Sequence, residues 1–159
     1  MERALASEQR ALALDNSLPW AYSLLAEIYG LKQEHEQAIA EGERAIALDP
    51  NNDISYAVQA EALNCAGRPE EALRAVEHAM RLNPRYPSWY LMELGWADEL
   101  TGRYAEAIAT TKEFISRNPD FRLPTISWLP PTCSSGPRNR APLARRWSRR
   151  WRRCDEPWL

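Results

Sequence analysis

Apolar residues recur at helical intervals along most of the chain. Tyr22, Leu25, Ala26 and Tyr29 fall on one face of a predicted helix, and Ala38, Ala45 and Ile46 on one face of the next. The pattern then repeats. Ala45-Ile-Ala-Leu-Asp-Pro50, Ala79-Met-Arg-Leu-Asn-Pro84 and Phe114-Ile-Ser-Arg-Asn-Pro119 end alike, their prolines 34 and 35 residues apart. Ala11-Leu-Ala-Leu-Asp-Asn16 matches the first of these a further 34 residues upstream. Ala4, Ala38 and Ala72 are also 34 apart, and Ala107 follows at 35. A fixed period of this length marks a stacked array, each unit sharing its core with its neighbours.

Two helices fit each period. Proline disfavours helix in the residue before it, so Asp49, Asn83 and Asn118 should end the second helix of each pair. Gly67 and Gly102 sit where the tip of a hairpin needs a positive φ. Small residues at Ala26, Ala38, Ala60, Ala72, Gly95 and Ala107 should let the paired helices approach closely. Neither helix of a pair can hide its apolar stripe alone.

These positions resemble the tetratricopeptide repeat family, whose pattern is W-x2-L-G-x2-Y, then A-x3-F, then P, on a 34-residue period. One repeat would run 19–52 with Tyr22, Leu25, Ala26, Tyr29, Ala38 and Pro50. A second would run 53–86 with Tyr56, Ala60, Leu63, Gly67, Ala72 and Pro84. A third would cover about 87–121 with Leu94, Gly95, Gly102, Tyr104, Ala107 and Pro119. Residues 2–18 look like a half repeat, an orphan second helix. The resemblance implies an all-α fold, an α-solenoid of antiparallel helical hairpins over residues 1–121. Two positions depart from the pattern: Gln59 stands where leucine is usual, and Asp98 where a large apolar residue is usual. Looser packing is expected around Asp98.

The resemblance also implies a function, binding of a protein or peptide on the concave face lined by the first helix of each hairpin. Carried over position by position, that face includes Trp20, Leu24, Glu27 and Leu31 from the first repeat. Ala57, Glu61 and Asn64 come from the second, and Met92, Glu93, Trp96 and Glu99 from the third. Family members that grip a C-terminal carboxylate use Lys, Arg and Asn on this face, and no Lys or Arg stands at the corresponding positions here. Aromatic and aliphatic surface carrying a line of glutamates favours a basic, amphipathic segment instead. The plainer alternative is that Trp20 and Trp89 pack under neighbouring turns and the glutamates are merely solvated.

Charge divides the chain. Its formal net charge is −2, but from Phe121 onward nine arginines face only Asp155 and Glu156. The region 122–159 is a basic, Trp- and Pro-rich tail without the repeat. Read from the third base of each codon, Ser127 to Gly136 can give L-A-x-x-Y-L-x-x-G, which matches Leu25-Ala26-Glu27-Ile28-Tyr29 in phase. The tail is therefore expected to be an out-of-frame reading of a further repeat, which sequencing the encoding DNA would decide. The competing reading is an authentic basic tail for nucleic acid or an anionic surface. Nucleic acid is the less favoured partner. Self-association through exposed array ends or the tail is a further possibility, as is a regulatory fragment of a larger bacterial signalling protein.

No catalytic constellation accompanies this pattern. His35 and His78 lack a neighbouring nucleophile, and no glycine-rich phosphate loop is present. Cys65, Cys133 and Cys154 are too dispersed for a disulfide framework or a zinc site. No cofactor, no metal, no membrane span and a cytoplasmic location are expected.

Overall fold

The computed structural model describes residues 2–119, with side chains from Ala6 onward. The tail over 122–159 and its proposed frame lie outside the described residues. Those described form seven helices and no strand: α1 (Glu2–Leu14), α2 (Pro19–Leu31), α3 (His35–Leu48), α4 (Asp53–Ala66), α5 (Pro69–Leu82), α6 (Trp89–Leu100) and α7 (Tyr104–Arg117). Helix α2 packs on α3, α4 on α5 and α6 on α7, and each pair packs on the next through α3 with α4 and α5 with α6. The architecture is an all-α solenoid of helical hairpins. Among the described residues no helix is long and apolar enough to cross a membrane.

Helices α2, α4 and α6 touch one another in turn, whereas α3, α5 and α7 make no comparable contact among themselves. The stack therefore closes on its α2/α4/α6 side, and that side is the concave one. Close approach rests on alanine. Ala26, Ala38, Ala60, Ala72 and Ala107 are all buried, together with Ala45, Ala57, Ala79 and Ala97. Gly95 differs from expectation. A Cβ there would meet only Thr110, its Cγ2 at an ordinary 3.5 Å, so proximity does not require glycine at that point.

The hairpin tips share one geometry. Gly67 and Gly102 take φ of 78° and 81°, and Gln33, at the same place in the first hairpin, takes 64°. In each case the next residue donates its N–H back to the helix. Glu34 N reaches Tyr29 O at 2.9 Å, Arg68 N reaches Leu63 O at 2.9 Å, and Arg103 N reaches Asp98 O at 2.8 Å. This left-handed ending satisfies carbonyls that the helix itself cannot. It suits glycine and strains any residue with a Cβ. Nothing lies within 4 Å of a Cβ built on Gly67, so the cost of filling it is conformational alone. Gly67→Ala should lower stability by about 1 kcal/mol, and Gln33→Gly should raise it by a similar amount. Urea titrations of both variants check the pair. Equal shifts of the same sign would contradict the shared tip.

At the other end of each hairpin, Asp49, Asn83 and Asn118 leave the helix with φ of −139°, −125° and −134°, out of the helical region that a following proline disfavours. Asn52 then opens α4, its Oδ1 accepting from Ile54 N at 3.1 Å and Ser55 N at 3.4 Å. Asp53 ties two hairpins together. Its Oδ2 accepts from Asn83 Nδ2 at 2.8 Å and from the Tyr90 hydroxyl at 2.7 Å.

Both departures from the repeat pattern are buried. Asp98 is 3% exposed, and its charge is met by Arg103 Nε at 3.2 Å. Burial still pushes its carboxyl above the usual range, the nearby Arg103 pulling the other way. Gln59 lies over Gly42, where a Cβ would run into its amide oxygen. That oxygen has no hydrogen-bond partner, a penalty of about 1–3 kcal/mol that leucine would not carry.

Candidate functional site

The concave face is built from three short helices that between them carry no lysine or arginine. Successive helices bring residues at corresponding turns into register. Trp20 is 54% exposed and Leu31 49% exposed, with Glu27 also open to solvent. Leu24, Glu61, Met92 and Glu99 are half-buried. Deeper in the face lie Asn64, Glu93 and Trp96, all buried. Ala57 is wholly buried and belongs to the core cluster between hairpins. The two flanking tryptophans divide. Trp20 stands open, while Trp89 packs edge-on against Tyr90, ring centroids 4.4 Å apart.

The carboxylates form a chain across the helices. Glu27 on α2 acts electrostatically on Glu61 on α4, and Glu61 acts on Glu93 on α6. Partial burial raises the carboxyl of Glu27, and burial followed by the charge of Glu27 raises that of Glu61. Glu93 is the extreme case. Burial first, and Glu61 second, push it up to about 8, against the opposing effect of a hydrogen bond from Asn64. Glu99 is raised by burial alone. These carboxyl groups are withdrawn from water to increasing depth, on helices that carry no lysine or arginine.

Asn64 is the buried partner in this line. Its Nδ2 donates to Glu93 O at 3.1 Å and to Glu93 Oε2 at 3.2 Å. Its Oδ1 has no partner. Beside it Cys65, Trp96 and Leu100 make a small apolar cluster.

Neither histidine belongs to this face. His35 opens α3 with Nδ1 unpartnered, and His78 on α5 lies against Tyr56, centroids 4.3 Å apart. Among the described residues no group of His, Cys, Asp and Glu could hold a metal ion. Sequence reasoning does not find Asn64 and Glu93 as a pair. The residues are 29 apart and belong to different turns of their repeats, so only the register of α4 against α6 brings them together.

Residues 21–52 match the family model of the tetratricopeptide repeat. No curated protein sequence matches the chain. Among solved structures, a mutant O-GlcNAc transferase of Thermobaculum terrenum superposes with a TM-score of 0.65 at 24% identity, over 72% of this chain. The match takes in 23% of the transferase chain, so this protein spans about a quarter of its length. A MamA protein superposes with a TM-score of 0.62 at 22% identity, covering 81% of this chain and 70% of that one. A second MamA structure gives 0.61 at 23% identity, covering 72% and 67%. At such identities the likeness concerns the fold. The repeat at residues 21–52 belongs to the tetratricopeptide family, and the described chain is a helical solenoid of that kind.

Proposed function

We propose that this protein is a non-catalytic scaffold whose concave face takes up a basic, amphipathic peptide or helix from a protein partner. The observation that carries this reading is a face whose three helices hold Glu27, Glu61, Glu93 and Glu99 and no basic residue. Exposed Trp20 and Leu31, with half-buried Leu24 and Met92, supply apolar contact beside the charges. Apolar anchors give affinity, and the carboxylates select the sign of the ligand. Spacing supports an ordered ligand. Packed helices lie about 8–10 Å apart, which is about three residues of extended chain or about two helical turns.

Charge reversal is the direct test. Glu61→Lys with Glu99→Lys should weaken binding of a basic amphipathic peptide by at least about tenfold in low salt, as two opposed charges are lost and two like charges introduced. Fluorescence anisotropy with a labelled peptide measures it. Unchanged affinity would mean that this face is not the binding groove. Cytoplasmic location and absence of catalysis belong to the same reading.

A second reading, self-association, is favoured by apolar side chains at both ends of the described stack. Leu14 on α1 is 91% exposed, and Ile108 and Ile115, two turns apart on α7, are 37% and 38% exposed. Uncovered apolar faces recruit partners. Light scattering over a concentration series distinguishes an oligomer from a persistent monomer, and the latter removes this reading.

A further inference from the structure

Several acidic side chains of the outer helices find arginines beside them. Glu41 meets Arg44 at 3.2 Å, Glu71 meets Arg68 at 2.7 Å and Glu113 meets Arg117 at 2.6 Å. Among the described residues, Glu27, Glu61 and Glu99 of the concave face take part in no ion pair. Open apolar surface lies on the same helices. Trp20, Ile54 and Leu31 are 54%, 51% and 49% exposed. Trp20 and Ile54 are the second residues of α2 and α4, and Glu27 and Glu61 the ninth, so both pairs stand at matching turns of neighbouring helices.

The chain itself supplies the complementary chemistry. Residues 1–120 carry 20 acidic and 11 basic side chains, a balance of −9, whereas from Phe121 onward nine arginines face two acids, a balance of +7. Six of those arginines fall in Arg145-Arg-Trp-Ser-Arg-Arg-Trp-Arg-Arg153, which holds no acid. Its Trp147 and Trp151 offer apolar anchors among the charges. A guanidinium pairs with carboxylates and also lies readily over an exposed indole such as Trp20.

Length permits the contact. Arg145 is 28 residues beyond Arg117, the last residue of α7. That much chain reaches at most about 90–100 Å. Crossing from α7 over α6 and α4 to α2, at about 8–10 Å a helix, needs about 30 Å. Whatever reading frame gave rise to the segment, it is part of this polypeptide and within reach of the face.

Resting on the groove reading above, we propose that residues 145–153 dock on the concave face of their own chain and compete with any partner for it. The arginines lie against Glu27, Glu61 and Glu99, and the indoles beside Trp20 and Ile54. The contact is autoinhibitory. A ligand tethered within one chain acts at an effective concentration on the order of 1 mM. Against an intrinsic Kd on the order of 10–100 μM, it lowers the apparent affinity for an outside peptide about ten- to hundredfold.

The test uses the full chain in reducing buffer, so that no disulfide contributes. A tail-neutralised variant carries Arg145→Gln, Arg146→Gln, Arg149→Gln, Arg150→Gln, Arg152→Gln and Arg153→Gln, which leave the repeats untouched. The probe is a fluorescein-labelled synthetic peptide with the sequence of residues 143–153, followed by anisotropy. The neutralised chain should bind it at least about tenfold more tightly than the unmodified chain. Adding Glu27→Gln, Glu61→Gln and Glu99→Gln to the neutralised chain should weaken that binding at least about tenfold, with helix content by circular dichroism unchanged. Equal affinity of the neutralised and unmodified chains would overturn the docked tail and leave the groove reading standing. Affinity that survives loss of the three glutamates would put the segment on another surface, and overturns the proposal too. A dimer seen by light scattering that disappears on neutralisation would mean docking on a second copy, which replaces the contact within one chain. If the neutralised chain binds neither this peptide nor an amphipathic peptide of leucine and lysine, the groove reading itself has failed, and the docked tail with it.

Discussion

Glu93→Gln should make the unliganded protein more stable at alkaline pH, by about 2–4 kcal/mol at pH 9, and should change it little at pH 5. A carboxyl raised to about 8 in the folded chain prefers its proton there far more than in the unfolded chain. Between the unfolded value near 4.5 and the folded value near 8, the folded state holds more protons, so stability falls as pH rises. Its contribution is fully present below about pH 4.5 and lost by the time pH has passed 8. Glutamine keeps the shape and the bond from Asn64 but cannot ionise, so this loss disappears. A tenfold difference in proton affinity between the two states is worth about 1.4 kcal/mol. Glu27, Glu61 and Glu99 are raised as well, so the variant should retain a shallower slope at lower pH. Urea unfolding at pH 5, 7 and 9 measures both curves. Parallel curves for the two proteins would show that Glu93 titrates normally.

The second large effect is expected at Tyr90. It is the largest fully buried side chain among the described residues, stacked near Tyr86 with centroids 6.2 Å apart and packed edge-on by Trp89. Its hydroxyl donates to Asp53 Oδ2, which also receives Asn83 Nδ2. One side chain on α6 thus closes on the start of α4 and the end of α5. Tyr90→Ala should cost about 3–5 kcal/mol, through lost burial and the cavity left behind. Tyr90→Phe keeps the ring and removes only the charge-assisted bond, for about 1.5–3 kcal/mol. A double-mutant cycle with Asp53→Asn isolates the pair. Near-additive losses would mean that the hydroxyl and carboxylate are not coupled across the hairpin junction.

Much of the fold was legible because period and punctuation lie close together in sequence. Asp49-Pro50, Asn83-Pro84 and the glycines at 67 and 102 mark helix ends by local backbone sterics, which need no knowledge of neighbours. Gln33 occupies the same left-handed place, and composition alone does not disclose it, since only the closing hydrogen bond from Glu34 reveals it. Gly95 misleads for the opposite reason. Its smallness suggests a packing requirement, yet the facing Thr110 leaves room for a methyl group. Asp98 looks in the sequence like a packing fault, whereas Arg103 five residues on supplies a counter-charge.

The candidate site was legible as a list of positions and less so as chemistry. Helical register places Glu27 and Glu61 on adjacent first helices of the array. Depth is not readable, because burial depends on how closely the helices approach. Ala57 therefore ends inside the wall, and Glu93 and Asn64 end as a buried pair instead of open lining. The Asp53–Asn83–Tyr90 junction lies beyond reach for the same reason, its members being 30 and 37 residues apart.

A ligand that meets the face formed by α2, α4 and α6 should leave its mark there and nowhere else. Backbone amide shifts of the labelled protein, followed by NMR as a basic amphipathic peptide is added, test that face residue by residue. Changes should concentrate at Trp20, Leu24, Glu27, Leu31, Glu61 and Met92, with α3, α5 and α7 nearly silent on their outer surfaces. Shifts confined to α3, α5 or α7, or none at saturating peptide, would contradict it.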